Sequence, residues 1–179
     1  MRVYKTINDV RLSGPSIVAI GKFDGDHIGH QKLFSTMRTL AENNGYETIA
    51  VTFDVSQILN RSKKLEMLEA EGIDTIILLP FSDEILSIEG IDFLRDFLVE
   101  RLQMKAIVAG PDCAFGHRKS GDISLLKQHA EEYGYTVHVI DKVRNEEGEE
   151  INSTMIRNLI GSGQLEKAKS YLGDSGKYL

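Results

Sequence analysis

Five short apolar runs constrain this chain more than any other feature. They are Ile17–Ile20, Thr48–Phe53, "DTIILL" over Asp74–Leu79, "KAIVAG" over Lys105–Gly110, and Tyr135–Ile140. A strand with one wet face alternates apolar and polar residues, so runs this continuous belong to strands covered on both faces. Patterns of helical period lie between them. Leu33, Phe34, Met37, Leu40 and Ala41 share one helical face, which Asn43-Asn44-Gly45 ends. Leu65–Ala70 fits a short helix stopped near Gly72, and Phe93, Leu94, Phe97, Leu98 and Leu102 form a second clear face. Leu125, Leu126 and His129 fit a further helix that Asp122 or Ser124 would cap. "KVRNEEGEE" reads as a hairpin or surface loop, followed by two short helical stretches near 153–161 and 164–172. This alternation predicts an α/β fold: a doubly wound parallel sheet, Rossmann-like, forming a single domain over residues 1–179. Ligands of such sheets sit at the carboxyl ends of the strands.

Composition removes several functional classes. With 179 residues, 41% of them hydrophobic, the chain can bury one substantial core. Its net charge of −6 argues against a broad nucleic-acid surface. Cys113 is the one cysteine, which excludes an internal disulfide and a cysteine metal cage. The opening "MRVYKTINDV" has no apolar core of a signal peptide, and no run approaches the roughly 18 apolar residues of a membrane span. The expected setting is the cytoplasm, with no membrane partner.

Three polar motifs fall at strand ends or in loops. The first is "GKFDGDHIGH" over residues 21–30, directly after the first apolar run. Gly25 and Gly29 lack a Cβ and let backbone approach a ligand. A helix starting near Ile28 would offer free N–H groups to an anion, and His27 and His30, three apart, would share one side of it. Imidazole N–H groups can hold phosphate oxygens; a turn with locally bonded histidines is the alternative. No third metal ligand stands at a supporting spacing.

The second motif is "INSTMIR". Ser153 or Thr154 suits a helix N-cap, with Arg157 one turn later. Hydroxyls, backbone N–H groups and a guanidinium together suit an anion, although simple capping beside a solvated arginine is the other reading. The third is "GPDCAFGHRKSGD". Asp112 could accept a hydrogen bond from a nucleotide or second substrate, and Phe115 could stack on a ring or anchor the loop. His117, Arg118 and Lys119 read as solvated charges, and Cys113 as a small buried filler. The Walker pattern, GxGxxG and Gly-x-Ser-x-Gly are all absent.

Taken together, "GKFDGDHIGHQKL", "LVERLQMKAIVAGPDCAFGHRKSGD" with "LLKQHAEEYGYTVHVI", and "INSTMIRNLIGSGQLEKAKSYLG" resemble the FMN adenylyltransferase domain of bacterial bifunctional riboflavin kinase/FAD synthetases, in the HxGH nucleotidyltransferase superfamily. Order and spacing match over almost the whole chain. The resemblance implies the reaction ATP + FMN → FAD + pyrophosphate, with Mg2+ accompanying ATP and no protein metal ligand assigned. It implies catalytic roles for His27, His30 and Arg157, and ATP contacts from Gly21, Phe23, Asp24, Gly29, Ser153 and Thr154. Asp112, Phe115 and Gly116 would lie on the acceptor side. Lys22 stands where the family commonly has asparagine and would be an extra phosphate contact.

The chain departs from the family pattern in two places. The Thr-Phe-x-Pro-His-Pro segment is replaced by "VTFDVSQILNRSKKLEML", whose 54–64 loop is short, and no riboflavin kinase barrel follows "YLGDSGKYL". The first departure leaves two further readings: a nucleotidyltransferase with another phosphorylated acceptor, and a non-catalytic nucleotide- or flavin-binding protein.

Overall fold

The apolar runs pair side by side. In the computed structural model, which describes residues 1–25, 27–55, 58–173 and 176, six parallel strands form one sheet. They are β1 (Arg2–Tyr4), β2 (Ser16–Ile20), β3 (Glu47–Phe53), β4 (Thr75–Leu79), β5 (Met104–Ala109) and β8 (Thr136–Val139), in the order β1-β4-β3-β2-β5-β8. A separate two-stranded ribbon pairs β6 (Ala114–Phe115) with β7 (Gly121–Asp122). The helices are α1 (Ile28–Asn44), α2 (Arg61–Ala70), α3 (Asp83–Leu86), α4 (Gly90–Asp92), α5 (Ile123–Gln128), α6 (Ala130–Tyr133), α7 (Ser153–Gly161) and α8 (Leu165–Leu172).

Every residue of β2 and β4 is buried because the two pleat faces meet different cores. Val18, Ile20, Ile49, Val51, Ile77 and Leu79 face one side, with Phe93, Leu94, Phe97 and Leu98. Ile17, Ala19, Ala50, Ile76 and Leu78 face the other, against Leu33, Phe34 and Met37 of α1 and Met67 and Leu68 of α2. Period-two side chains with apolar layers on both sides produce the unbroken apolar runs of the sequence. The doubly wound α/β expectation therefore stands.

Three local features differ from the sequence reading. The helix carrying Phe93 winds as a π-helical run, Phe93–Arg101, continuing from α4; Leu102 N–H donates to the Phe97 carbonyl five residues back. Both residues are buried, and bonding at that spacing keeps them on one face. Strand β1 carries no apolar run of its own; its pairing to β4, with Arg2 opposite Thr75, defines it. Helix α7 is capped by Asn152, not by Ser153 or Thr154: the Asn152 side chain accepts from Met155 N–H at 2.9 Å. Asp122 caps α5 as expected, accepting from Leu125 N–H, and "KVRNEEGEE" closes as a hairpin with an Arg144–Glu150 bridge.

The strand order reverses between β2 and β5, because the chain leaves β2 toward β3 on one side and returns to β5 on the other. The loops after these two strands diverge there and open a crevice. Phe34 is fully buried beneath it, its ring 5.1 Å from that of Phe23. We predict that Phe34→Ala destabilises the protein by about 3–5 kcal/mol; an unchanged urea midpoint would contradict this packing.

Candidate active site

The crevice is a cleft of about 420 Å³ at the carboxyl ends of β2, β5 and β8. Its walls include Gly21, Lys22, Phe23, His27, Gly29 and His30 from the turn after β2. The loop after β5 contributes Asp112, Cys113 and Lys119, and the hairpin after β8 contributes Lys142, Glu150 and Asn152.

The β2–α1 turn is tightly specified. Gly21 has no side chain because the Phe23 ring occupies that space: a Cβ there would lie 2.8 Å from Phe23 Cε1. Phe23 itself takes a left-handed backbone, φ 44°, which folds its ring under the site. The ring meets His30 edge-on, centroids 5.3 Å apart. His27 occupies the N-cap position of α1 in extended backbone, its carbonyl accepting from His30 N–H at 2.7 Å, while its side chain makes no capping bond. The two imidazoles stack at 3.8 Å, 23° from parallel. Gly29 makes room for this stack, since a Cβ would come within 3.1 Å of the His27 ring.

Hydrogen bonding sets the tautomer of His30. Its Nδ1 lies 2.8 Å from the Gly25 carbonyl, which only accepts, so Nδ1 carries the hydrogen and Nε2 is left for a ligand. His27 is buried, and among the described residues its Nδ1 finds no partner. Burial lowers the His27 pKa to about 3, with the His30 charge adding to the effect. Burial likewise lowers His30 to about 4; the bond to Gly25 and the Asp24 charge oppose this, and the Lys64 charge reinforces it. Both rings are therefore neutral at pH 7 without a ligand. An anion in the cleft would reverse the balance and favour protonation.

Asp24 does not line the cleft. Its buried carboxylate accepts from the backbone N–H groups of Ile58, at 3.0 and 3.2 Å, and of Leu59, at 3.2 Å. The Asp24 carbonyl accepts from Ser153 Oγ at 3.1 Å. That bond brings the "INSTMIR" segment to the histidine turn across 129 residues of chain. Arg157 folds back over the same helix start, with Nη2 donating to Thr154 Oγ1 at 2.9 Å and Nε to the Ser153 carbonyl at 3.3 Å. Ser153, Thr154 and Arg157 thus form one cluster beside Asn152, the member of α7's start that lines the cleft.

The third motif divides. Asp112 lies at the cleft mouth, 73% exposed, and pairs with Lys142 at 2.5 Å. Lys142 also pairs with Glu150 at 2.8 Å, and these bonds raise its pKa. Phe115 is instead buried against Phe93, centroids 5.7 Å apart, and Gly116 abuts Gly90, whose Cα would lie 2.5 Å from a Cβ at 116. Neither lines the cleft. The expected solvated trio also separates: His117 Nδ1 donates to the Leu86 carbonyl at 3.0 Å, while Lys119, in left-handed backbone, lines the cleft. Cys113 is half-buried, and burial pushes its thiol up to about 11, so it is no nucleophile at neutral pH. The short 54–64 segment runs partly through 56 and 57, outside the described residues.

Sequence reasoning missed Asn152, Lys142 and Glu150 as wall residues. The asparagine before Ser-Thr was a legible cap signal; the ion pairs across the mouth come from tertiary approach and left no local mark.

The chain is similar to known proteins over most of its length. A model of the FAD synthetase family matches residues 10–155. A putative bifunctional riboflavin kinase/FMN adenylyltransferase of Geobacillus thermodenitrificans is 31% identical, with 97% of each chain covered. The bifunctional riboflavin kinase/FMN adenylyltransferase of Buchnera aphidicola from Schizaphis graminum is 29% identical over 97% of this chain; the chain spans 60% of that protein's length. A Streptococcus pneumoniae crystal structure, named as a macrolide-efflux protein, superposes with a TM-score of 0.83 at 29% identity, covering 96% of this chain and 61% of that one. Among the described residues no helix is long and apolar enough to cross a membrane.

The neutral histidines make a stability prediction. An unfolded histidine binds its proton near pH 6.5, whereas folded His30 does so only near 4 and His27 near 3. Between pH 6.5 and about 4 the unfolded state holds more protons, so stability is full above 6.5 and falls as the pH drops through that window. Denaturant titrations from pH 7.5 to 4.5 should show this loss, with a shallower slope in His27→Asn/His30→Asn. An equal slope in that variant would contradict neutral native imidazoles.

Proposed function

Because the chain belongs to the FAD synthetase family, we propose that it is an adenylyltransferase that moves AMP from ATP to FMN in the cytoplasm, giving FAD and pyrophosphate. The observation that carries this reading is the Ser153 Oγ–Asp24 carbonyl bond, which sets the α7 cluster against the histidine turn at the sheet's switch point. A triphosphate lying from the cleft to the start of α7 would meet imidazole, hydroxyl, guanidinium and helix N-terminal groups along its length.

In this reading an FMN phosphate oxygen attacks the α-phosphorus of ATP. The bond from that phosphorus to the bridging oxygen of the β-phosphate breaks, and pyrophosphate leaves with the bonding pair. The nucleophile is already anionic, so no general base is needed. Positioning and stabilisation of developing charge supply the catalysis. His27 and His30 donate N–H groups to the phosphates, and His30 gains its second proton as the anion arrives. Ser153, Thr154 and Arg157 hold the leaving pyrophosphate. Gly21 and Gly29, whose missing side chains make room for the Phe23 ring and the imidazole stack, line the cleft wall that meets the nucleotide, and Phe23 supports His30 from below. Asp112 meets the acceptor at the cleft mouth, and Phe115 and Gly116 hold its loop in place.

The family uses ATP, in general with a divalent metal; Mg2+ is the cation proposed here, and it neutralises phosphate charge when bound. Among the described residues no three His, Cys, Asp or Glu side chains converge as a metal cage.

Protein supplied with ATP, Mg2+ and FMN should release FAD and pyrophosphate in equal amounts. ATP binding with no pyrophosphate release would overturn the proposal. His30→Ala should lower turnover by roughly 10²–10³-fold with the fold retained, and near-normal turnover would remove His30 from the chemistry.

A further inference from the structure

The β6–β7 ribbon turns through a backbone that its sequence does not favour. Arg118 and Lys119 both sit in the left-handed region, at φ 48° and 63°. Turns that need positive φ at two successive positions ordinarily take glycine, asparagine or aspartate. Strain of this kind persists only where the surroundings over-determine the conformation, and it concentrates at functional sites. Here the surroundings do so. His117 is held twice: its backbone N–H donates to the Ile88 carbonyl at 2.6 Å and its Nδ1 to the Leu86 carbonyl at 3.0 Å. Ser120 Oγ accepts from Gly90 N–H at 2.8 Å. The ribbon lies so close on α4 that a Cβ at Gly90 would come within 2.3 Å of Gly121 N. Lys119 N–H closes the turn on the Gly116 carbonyl at 3.1 Å.

This fixed turn brings Lys119, and not Arg118, to the cleft wall. Among the described residues the Lys119 ammonium has no hydrogen bond or ion pair. Lys142, in the same cleft, differs, because Asp112 and Glu150 both pair with it. A cation left without a counter-ion in a concave site attracts an anion. We propose that Lys119 is a further substrate-binding residue, which donates its ammonium to a phosphate group of ATP or FMN from the β5 side of the cleft. The inference rests on the proposed function for the identity of these two ligands. A lysine that served only as a solubilising surface charge would be carried equally well by an unstrained turn. The strained turn, its anchors on α4 and the unpaired ammonium at the cleft wall belong together if the turn exists to aim this side chain.

Lys119→Met and Lys119→Gln remove the charge, and Lys119→Arg keeps it. The native protein and each folded variant are titrated calorimetrically with ATP and, separately, with FMN and with riboflavin, which lacks the phosphate. The neutral variants should bind at least one of the two phosphorylated ligands about tenfold more weakly, with a shallower dependence on salt, and Lys119→Arg should recover most of both. A loss with ATP assigns Lys119 to the nucleotide phosphates; a loss with FMN that riboflavin does not share assigns it to the acceptor phosphate. Native affinity for both ATP and FMN in the neutral variants would overturn the proposal. So would an equal loss in Lys119→Arg, or a loss confined to FMN that riboflavin shares in full. Binding needs no turnover, so a protein that makes no FAD still tests the inference, and native affinity in the variants would leave adenylyl transfer intact.

Discussion

The buried carboxylate of Asp24 is the point from which the rest of the site hangs. It satisfies two backbone amides, at Ile58 and Leu59, in the segment between β3 and α2. A buried N–H left unpaired costs roughly 1–3 kcal/mol, so this carboxylate decides where the chain runs after β3. The Ile58 side chain then packs on the small cluster of Ile156, Ala168 and Leu172 that joins α7 to α8. Gly25, φ 85°, lies under Ile58 and Leu172 in a conformation a side chain would strain. The Asp24 carbonyl receives Ser153 from α7 itself. One residue thereby ties the histidine turn, the post-β3 segment and the start of α7, three pieces far apart in sequence.

Electrostatics complete what the tether begins. Two imidazoles stacked at 3.8 Å in a buried turn cannot both be charged without a counter-ion, and burial keeps both neutral. In the proposed function an arriving polyphosphate would supply the counter-charge, so binding and proton uptake would be linked. Lys22 and Lys119 line the same cleft, so a chain of net charge −6 still places cationic side chains there.

Much of this was legible in the sequence, because its causes are local. The apolar runs at 17–20, 48–53 and 74–79 announced strands buried on both faces, and the start of α1 at Ile28 followed from the glycine–histidine turn. The spacing of His27 and His30 placed them together without any tertiary information. Other features were hidden because their causes are long-range. Asp24 reads as a phosphate-loop acid, yet its partners are amides 34 and 35 residues away. Lys64 stands in the polar stretch "RSKKLE", where nothing local marks it as buried, and only the docking of α2 on the sheet covers it. Phe115 reads as a stacking platform or, more often for an aromatic beside glycine, a loop anchor; contact with Phe93 and the bare Gly121, where a Cβ would lie 2.3 Å from its ring, packs it inward.

The most direct test is a crystal structure of the protein with Mg2+ and a non-hydrolysable ATP analogue. The account predicts phosphate oxygens within hydrogen-bond reach of His30 Nε2 at one end and of the Ser153–Thr154–Arg157 cluster at the other, with the Ser153–Asp24 bond intact. A triphosphate bound elsewhere, or held at the cleft with the α7 cluster out of reach, would contradict it.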